Sequence, residues 1–406
     1  MSDLLNVYLN KDFIGVLSKD SNGGICFQYD KKAKRALSLS LPLRENIYQN
    51  KDCKGFFNGL LPESEQVRVF IGKRYGINPK NDFSLLQAIG YDCAGAVAFF
   101  KDKPKNLKEF HRIKGKILSE TELEKYINEL PKKPLAVGSD KRLSLAGAQD
   151  KTAVVTIKNK IAIPDDTIPS THILKPAIQG FVETIENEYI CLKSAEKIGI
   201  SIPKIEIGKA NNTKYFLIER YDREIKDGKI KRIHQEDFCQ ASNIPSAYKY
   251  QSEGGVDFKR CIEILKSTTK PAVAIKQFVE MMIFNYLIGN NDAHGKNFSI
   301  LHYDDDTTAF APAYDILCTS VYPELSQKMA MKIGGYYESD KIYPRHFERM
   351  AKDIGISYTQ IKKILKNQCE ILPDIVKEVS ETFENSVGEK ILQVVSENCT
   401  RNLKNF

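Results

Sequence analysis

The sequence of 406 residues lacks several features that mark particular classes of protein. It has no CxxC motif, and its nine cysteines are an odd number scattered along the chain, which argues against a disulfide framework or a cysteine zinc site. No run of about 18 apolar residues is present, so we expect no membrane-spanning helix and no membrane partner. The first residues, MSDLLNVYLN, contain no basic leader typical of a signal peptide. These absences indicate a cytoplasmic protein with reduced thiols.

Two nucleotide-processing signatures are also missing or weak. The stretch RLSLAGAQDKTAVV is not a Walker loop, because GxxxxGK[ST] would need glycine where the chain has Leu145 and Asp150. An ordinary nucleotide-switch ATPase is therefore disfavoured. A metal-dependent phosphohydrolase using Asp292, His294 and Asp315 ranks low, because the six histidines are few for the clusters that such sites usually need.

The overall composition is that of an ordinary globular protein, with 42% hydrophobic and 28% charged residues. The net charge of +8, from 60 basic and 52 acidic residues, is mild for this length. It permits contact with a nucleotide or an acidic partner, but it does not by itself argue for nucleic-acid binding. The most basic stretch, residues 101–116, is more readily interpreted as a solvated linker face than as a DNA contact.

The hydrophobic patterns divide the chain into four regions. Residues 1–102 form an N-terminal subdomain of mixed structure, and residues 103–139 form a linker with a short helix. Residues 140–223 are β-rich and are expected to form an ATP-binding lobe, whereas residues 224–406 are mostly helical. The predicted fold class is α+β, with a small β-rich lobe before an α-helical lobe as in protein-kinase-like folds. Fold order alone does not establish function.

Individual elements within these regions can also be predicted. Strands are expected at residues 152–157, 161–164 and 171–176, the last ended by a proline. A helix follows whose apolar face begins at Val182, and residues 276–289 are apolar nearly all round, which is typical of a buried helix.

The stretch GNNDAHGKNFSI follows this buried helix and carries the first candidate site. Asn297 lies five positions after Asp292, the separation that protein kinases use for a base that receives the substrate hydroxyl proton and an amide that binds Mg²⁺. His294 would face the nucleotide or steady the loop. The alternative is a turn capped by Asn291 or Asp292, with Asn297 as an exposed loop residue.

The stretch PAYDIL supplies a second candidate ligand for magnesium. Asp315 lies 18 residues after Asn297, which leaves room for a hairpin to return to the same site. Mg²⁺ between phosphates prefers anionic oxygen ligands. The DFG triplet of protein kinases is absent, and a lone aspartate in this context is usually a turn residue, so the motif gains weight only in combination.

Three further features have possible roles in nucleotide binding. The small residues before Lys151 could offer backbone N–H groups to phosphates, and Ser144 is either a turn residue or a phosphorylatable site. Lys175 could bind phosphates and pair with Glu188, although an exposed lysine and a solvent-facing glutamate are equally ordinary. The stretch LIERYDR could form a hinge with Tyr221 against adenine. The order of these features along the chain is the order that a kinase requires.

Taken together, the motifs resemble those of HipA-type serine/threonine kinases, the toxins of bacterial type II toxin–antitoxin pairs. The resemblance rests on FFNGLLPES, IGYDCAGAV, SLAGAQDKTAV, THILKP, ERYDR, HQEDFCQA and NNDAHGKNFSI through YDIL, from about residue 50 to residue 317. It implies ATP and Mg²⁺ as cofactors, Asp292 as the catalytic base, Asn297 and Asp315 as metal ligands, and Ser144 as an autophosphorylation site. It also implies nucleotide contacts from Ala146, Gly147, Ala148, Gln149, Asp150, Lys151, Lys175, Glu219, Arg220, Tyr221, His294, Asn297, Tyr314 and Asp315.

The resemblance also implies biological partners. Members of the family phosphorylate an aminoacyl-tRNA synthetase, which halts translation and promotes dormancy. A helix-turn-helix antitoxin of the HipB type binds the kinase and connects it indirectly to operator DNA. Asn291 and Gly295 stand where relatives often have Thr and Ala, and neither difference removes a chemical group that the reaction needs. The alternative function is a catalytically idle kinase fold that serves as a co-repressor of such an antitoxin.

Overall fold

The computed structural model describes residues 4–20, 23–104, 107–108, 110–130, 150–165, 168–384 and 386–405. The chain forms two compact units and passes between them more than once. The first unit contains Met1–Pro176, Gly208–Ala247 and Leu301–Thr307, and the second contains Ala177–Ile207, Tyr248–Ile300 and Thr308–Phe406. The four sequence boundaries given above stay predictions, since these units group the chain differently.

The described residues contain strands and helices throughout. The strands are β1 Leu4–Leu9, β2 Asp12–Lys19, β3 Ile25–Tyr29, β4 Val97–Phe100, β5 His111–Arg112, β6 Gly115–Ile117, β7 Thr152–Ile157, β8 Lys160–Pro164, β9 His172–Lys175, β10 Ile205–Ala210, β11 Thr213–Glu219, β12 Arg223–Lys226, β13 Lys229–Arg232, β14 His234–Asp237, β15 Ser299–His302, β16 Thr308–Phe310, β17 Lys328–Ile333 and β18 Tyr336–Glu338. The helices are α1 Asn50–Gly59, α2 Glu65–Tyr75, α3 Asp82–Ile89, α4 Glu120–Glu129, α5 Thr184–Lys197, α6 Phe258–Leu265, α7 Pro271–Ile288, α8 Pro344–Ile354, α9 Tyr358–Ser380 and α10 Val387–Leu403.

The N-terminal part of the first unit is a four-stranded sheet covered by helices α1–α3. The strand order is β3-β2-β1-β4, and all three pairings are antiparallel. Helix α2 begins where the Ser64 side chain accepts a hydrogen bond from Val67 N, and it ends at Gly76 with φ 63°. Both are ordinary end signals. Phe27, Phe56 and other aromatic side chains fill the core beneath the sheet.

The second sheet of this unit has six strands in the order β10-β11-β9-β7-β8-β6. Lys158 and Asn159 connect β7 to β8 with positive φ values of 50° and 60°, the geometry of a tight hairpin turn. The predicted linker contains the expected short helix, α4, but it also contributes β6, which pairs with β8. Part of the linker is therefore an edge strand of this sheet.

The second unit is mainly helical and is built around α7. This helix begins with Pro271 and ends at Gly289, and its buried positions lie on all sides, as the sequence predicts. Val182, predicted to begin the apolar face of α5, instead precedes the helix and is 65% exposed, because α5 begins at Thr184. Among the described residues, no helix combines the length and apolar character required to cross a bilayer.

Several short strands also lie in the region after residue 224, which the sequence predicts as helical. The β12–β13 hairpin turns at Asp227 and Gly228, which have φ values of 51° and 68°. Asp-Gly is a strong signal for this type of turn, so the hairpin could have been predicted from its two residues.

Candidate active site

The stretch GNNDAHGKNFSI begins where α7 ends. Gly289 has φ 78°, a left-handed conformation that favours glycine. A Cβ atom at this position would lie 2.8 Å from Val394 Cγ1 and 3.1 Å from Cys318 Sγ. The helix therefore stops here, and the chain turns into a loop at a fixed point.

Two buried asparagines connect this loop to α7. The Asn290 amide nitrogen donates to Asn285 Oδ1 at 2.7 Å, and the Asn290 amide oxygen accepts from the backbone N–H of Asp292 at 3.1 Å. Asn285 in turn donates to the Met281 carbonyl at 2.9 Å. This chain of amides fixes the backbone of Asp292 relative to a buried helix.

Asn297 is bound to the backbone of Asp292. Its amide nitrogen donates to the Asp292 carbonyl at 2.9 Å, and the same carbonyl accepts the His294 N–H at 2.8 Å. Asn297 is only 8% exposed, so the alternative of an exposed loop residue is wrong. Because the amide nitrogen is engaged, the polar atom that Asn297 could offer to a cation is its oxygen, the ligand atom that Mg²⁺ prefers.

The Asp292 carboxylate remains 49% exposed. Its Oδ1 accepts a hydrogen bond from the Tyr250 hydroxyl at 2.5 Å, and its Oδ2 lies 4.0 Å from His294 Nε2. A half-exposed carboxylate with one oxygen held by a neutral donor is chemically suited to accept a proton from an incoming hydroxyl group.

His294 is buried between charged groups of both signs. Burial lowers its pKa well below the ordinary value, and the positive charges of Lys249 and Lys296 lower the pKa further, whereas Asp315 acts in the opposite direction. The imidazole is therefore neutral at physiological pH, and its Nδ1 has no hydrogen-bond partner among the described residues. The Asp292 carboxylate lies 4.0 Å from this ring, and the charge of Asp315 also reaches the ring.

The segment that contains Asp315 is attached to the loop through its neighbour. The Tyr314 hydroxyl donates to the Lys296 carbonyl at 2.8 Å and lies 2.7 Å from Ser299 Oγ. Asp315 itself has φ 52°, which is unusual for a residue with a side chain and is found mainly where function or tight packing requires it.

Helix α5 holds the next part of this segment. The Asn187 side chain accepts from the Cys318 N–H at 2.8 Å and donates to the Cys318 carbonyl at 3.0 Å. A buried amide that satisfies both backbone groups of one residue fixes the loop at that point. Glu188, the next residue of α5, is 2% exposed, so the alternative of a solvent-facing side chain is wrong.

The predicted phosphate lysines lie in the first unit. Thr152 of β7 is opposite Leu174 of β9, and one more step in this antiparallel register places Lys151 opposite Lys175. Lys175 is 2% and Lys151 9% exposed, so the alternative of an ordinary exposed lysine is wrong. The two lysines thus lie side by side at the ends of β7 and β9, and an ammonium group is a suitable donor to phosphate oxygens.

The predicted hinge contains a residue with a structural role. The Arg220 side chain donates to the Asp222 carboxylate at 2.7 and 2.9 Å. Its backbone N–H donates to Thr171, and its carbonyl accepts from Arg223. With these groups engaged inside the protein, Arg220 shapes the hinge, and its predicted contact with a nucleotide stays a prediction. Glu219 is opposite His172 in the sheet.

Arg220 belongs to a buried charge network that the sequence analysis missed. Asp92 Oδ1 lies 2.9 Å from an Arg223 nitrogen, and the Asp222 carboxylate lies 2.8 Å from another nitrogen of the same guanidinium group. Burial acts to raise the pKa of Asp92, but the charges of Arg223, Arg220 and Arg232 outweigh it and hold the pKa well below the usual range. The network joins residues far apart in sequence.

Several predicted residues cannot be placed. Ser144, Ala146, Gly147, Ala148 and Gln149 lie outside the described residues. Within the described ranges, no group of three or more His, Cys, Asp and Glu residues is arranged to hold a metal ion. The predicted magnesium site therefore depends on the donor pair of Asn297 and Asp315, an amide and a carboxylate.

Three residues that hold the site were not predicted from the sequence. Asn290 lies within GNNDAHGKNFSI, but nothing in the sequence shows that Asn290, rather than Asn291, supports the loop. Asn187 sits on the buried side of α5, but it lies between Glu186 and Glu188, so the sequence does not mark it as buried. Tyr250 carried no local signal, because it lies 42 residues before Asp292.

Comparison with known proteins places the chain among described relatives. Residues 5–100 match the model of the HipA N-terminal domain, and residues 143–376 match that of the HipA-like C-terminal domain. A putative kinase, Y4mE of Sinorhizobium fredii, is 38% identical over 93% of this chain and 92% of its own length. The serine/threonine-protein kinase toxin HipA of Shewanella oneidensis is 27% identical over 92% of this chain and 89% of that protein.

Solved structures agree with these similarities. The chain resembles HipA from the Shewanella oneidensis MR-1 complex of HipA, HipB and operator DNA, with a TM-score of 0.86 and 25% identity over 98% of this chain and 97% of that one. The predicted α+β, kinase-like fold class is thereby confirmed.

Proposed function

This chain belongs to the HipA family of toxin kinases, and on that premise we propose that it is an ATP- and Mg²⁺-dependent serine/threonine protein kinase. The observation that carries the proposal is the grouping of Asp292, Asn297 and Asp315 around one loop. Asn297 binds the backbone of Asp292, and the charge of Asp315 acts on the same imidazole that Asp292 approaches.

Each residue of the site has a chemical role in this proposal. Asp292 accepts the proton of the acceptor hydroxyl group as that oxygen attacks the γ-phosphorus of ATP, the bond from this phosphorus to the β,γ-bridging oxygen breaks, and ADP leaves. Asn297 and Asp315 would hold Mg²⁺, which neutralises charge on the phosphate oxygens. Lys151 and Lys175 would bind phosphate oxygens. His294 stays neutral and packs against Tyr250, so that it shapes the loop without adding charge.

The proposed partners extend the role of the family. We propose that the chain acts as the toxin of a type II toxin–antitoxin pair and binds a helix-turn-helix antitoxin of the HipB type, which would connect it to operator DNA. A relative has been solved with HipB and operator DNA. An aminoacyl-tRNA synthetase is the proposed protein substrate, and Ser144 is the proposed autophosphorylation site, where about two negative charges would oppose those of ATP.

Transfer of labelled γ-phosphate tests the proposal directly. Purified chain is incubated with labelled ATP, Mg²⁺ and a mixture of purified aminoacyl-tRNA synthetases, and label is measured on the synthetases and on the chain itself. Asp292→Asn is expected to reduce transfer by roughly 10²- to 10⁴-fold, the usual contribution of a general base. Asp306→Asn makes the same chemical change at an exposed position with φ 61° and is expected to have no effect.

Two results would contradict the proposal. Absence of transfer by the unaltered chain would favour the idle co-repressor, and full transfer by Asp292→Asn would show that the base is assigned to the wrong residue.

A further inference from the structure

Tyr250 contacts the proposed base from a distant part of the sequence. Its hydroxyl group donates to Asp292 Oδ1 at 2.5 Å across 42 residues. Its ring lies edge-on to His294, with ring centroids 5.2 Å apart and an interplanar angle of 82°. The side chain therefore contacts both the half-exposed Asp292 carboxylate and the buried His294 ring.

The backbone around Tyr250 is built to hold this position. The Tyr250 carbonyl accepts hydrogen bonds from the N–H groups of Glu253 and Gly255, both at 2.9 Å. Gly254 has φ 100°, and a Cβ atom on Gly255 would lie 2.6 Å from the Tyr248 carbonyl oxygen. The turn needs glycine at both positions, and it fixes the direction in which the Tyr250 ring leaves the backbone.

A second contact ties the same turn to a strand. The side chain of Gln251 accepts the backbone N–H of Lys332 at 2.7 Å, and Lys332 lies in β17. The turn that carries Tyr250 is thus hydrogen-bonded to β17. Such support is expected for a residue that must orient another group.

We propose that Tyr250 is a positioning residue for phosphoryl transfer: its hydroxyl group holds Asp292 Oδ1 so that Oδ2 is presented to the acceptor hydroxyl group. The inference rests on the proposed function of Asp292. Packing restrains a carboxylate that is 49% exposed less than a buried one, and small errors in the placement of a base reduce rates strongly. The buried His294 cannot replace this contact, because its Nε2 lies 4.0 Å from the other oxygen, Oδ2.

Tyr250 could instead block the acceptor position, and the two roles predict opposite changes in the rate of transfer. The Tyr250 hydroxyl donates to Asp292 as an acceptor serine or threonine would. If Tyr250 occupied the place of the acceptor, its removal would open the site and increase transfer. A positioning role requires a decrease.

The experiment compares Tyr250→Phe with Tyr248→Phe. The first substitution removes only the hydroxyl group that contacts Asp292, and the second removes a hydroxyl group from a residue that is 52% exposed. Steady-state transfer from labelled ATP to the synthetase mixture is measured for both, together with thermal unfolding. Tyr250→Phe is expected to reduce kcat by roughly ten- to a hundred-fold, in keeping with a lost hydrogen bond to a charged group, with KM for ATP and the unfolding temperature nearly unchanged. Tyr248→Phe is expected to match the unaltered chain.

A double substitution separates positioning from general support of the fold. In the Asp292→Asn background, Tyr250→Phe should have no further effect on the residual rate, because the group that it orients is gone. An equal loss in both backgrounds, an unchanged or higher kcat, or a fall in kcat that follows the unfolding temperature would overturn the inference while leaving the kinase proposal intact. Absence of transfer by the unaltered chain would overturn both.

Discussion

Asp315 places its carboxylate on an unusual backbone, with φ 52°. Asparagine tolerates this left-handed region better than other residues with a side chain, whereas alanine at such a position costs about 1–2 kcal/mol. We therefore expect Asp315→Asn and Asp315→Ala to abolish phosphate transfer alike, since neither supplies the anionic oxygen that is proposed to bind Mg²⁺. Only Asp315→Ala should also lower the free energy of unfolding, by about 1 kcal/mol. Equal stabilities in denaturant titrations would show that the backbone does not require this geometry.

Substitution of Asp315 also tests whether phosphate transfer is the cause of growth arrest. Induction of the unaltered chain without an antitoxin is expected to stop bacterial growth, and Asp315→Asn is expected to relieve the arrest at the same protein level. Colony counts and immunoblots after induction measure both quantities. Continued arrest by a stable Asp315→Asn protein would point to sequestration of a partner and would argue against phosphotransfer as the cause.

At the scale of elements, α5 holds the segment after Asp315 through Asn187. Asn187→Leu keeps the approximate volume but leaves the backbone groups of Cys318 without their hydrogen bonds, so the segment should shift. We expect KM for Mg²⁺–ATP to rise several-fold. Asn402→Leu is the control, because Asn402 is also a buried amide of the second unit but donates to the Tyr286 hydroxyl. If both variants lose affinity for Mg²⁺–ATP equally, the effect belongs to stability and not to the segment.

The buried charge network of the first unit supports a second prediction about elements. Arg223→Met removes one charged partner of Asp92 and one of Asp222, and breaking a buried pair in this way typically costs about 3–5 kcal/mol. Denaturant unfolding should show this loss, and adding Asp92→Leu should restore part of it. Lys276→Met is the matched control, because its partner Glu280 lies on the helix surface, with side-chain exposures of 68% and 27%, where such pairs contribute about 0.5 kcal/mol.

Elements that depend on local sequence were predicted, whereas contacts between distant residues were not. Periodicity predicted α5, α7 and the β7–β8 hairpin, because local spacing decides which face is buried. The loop from Asp292 to Asn297 was predictable for the same reason, since its chemistry lies within a few residues. The contacts of Tyr250 with Asp292 and of Asp92 with Arg223 were not, because they join positions whose proximity exists only after the chain has folded.

At the scale of the whole molecule, buried neutral histidines make stability depend on pH. Burial lowers the pKa of His234 to about 3, and the neighbouring His302 adds to the effect; His294 is shifted in the same direction. Below the unfolded value of about 6.5, the unfolded chain binds protons that the folded chain does not. Stability should therefore fall as the pH decreases from about 6.5 towards 3, by up to about 1.4 kcal/mol per pH unit for each such histidine.

Calorimetry can isolate one of these histidines, and it suits a chain without tryptophan. His234→Gln keeps a donor for the Leu37 carbonyl, which His234 Nε2 approaches at 2.8 Å, but it cannot be protonated. The unfolding temperature of the unaltered chain should exceed that of the variant most at pH 7.5, and the difference should shrink as the pH falls to 5. Parallel curves over this range would contradict the buried neutral assignment.

Neither unit is a continuous stretch of chain. The last segment of the first unit is Leu301–Thr307, and the last segment of the second unit is Thr308–Phe406. A nascent chain that ends before Leu301 therefore contains neither unit complete, and one that ends before Asp315 lacks the carboxylate proposed to bind Mg²⁺. Under the proposed function, phosphate transfer cannot begin until synthesis has passed this point, and the proposed antitoxin can accumulate during that interval.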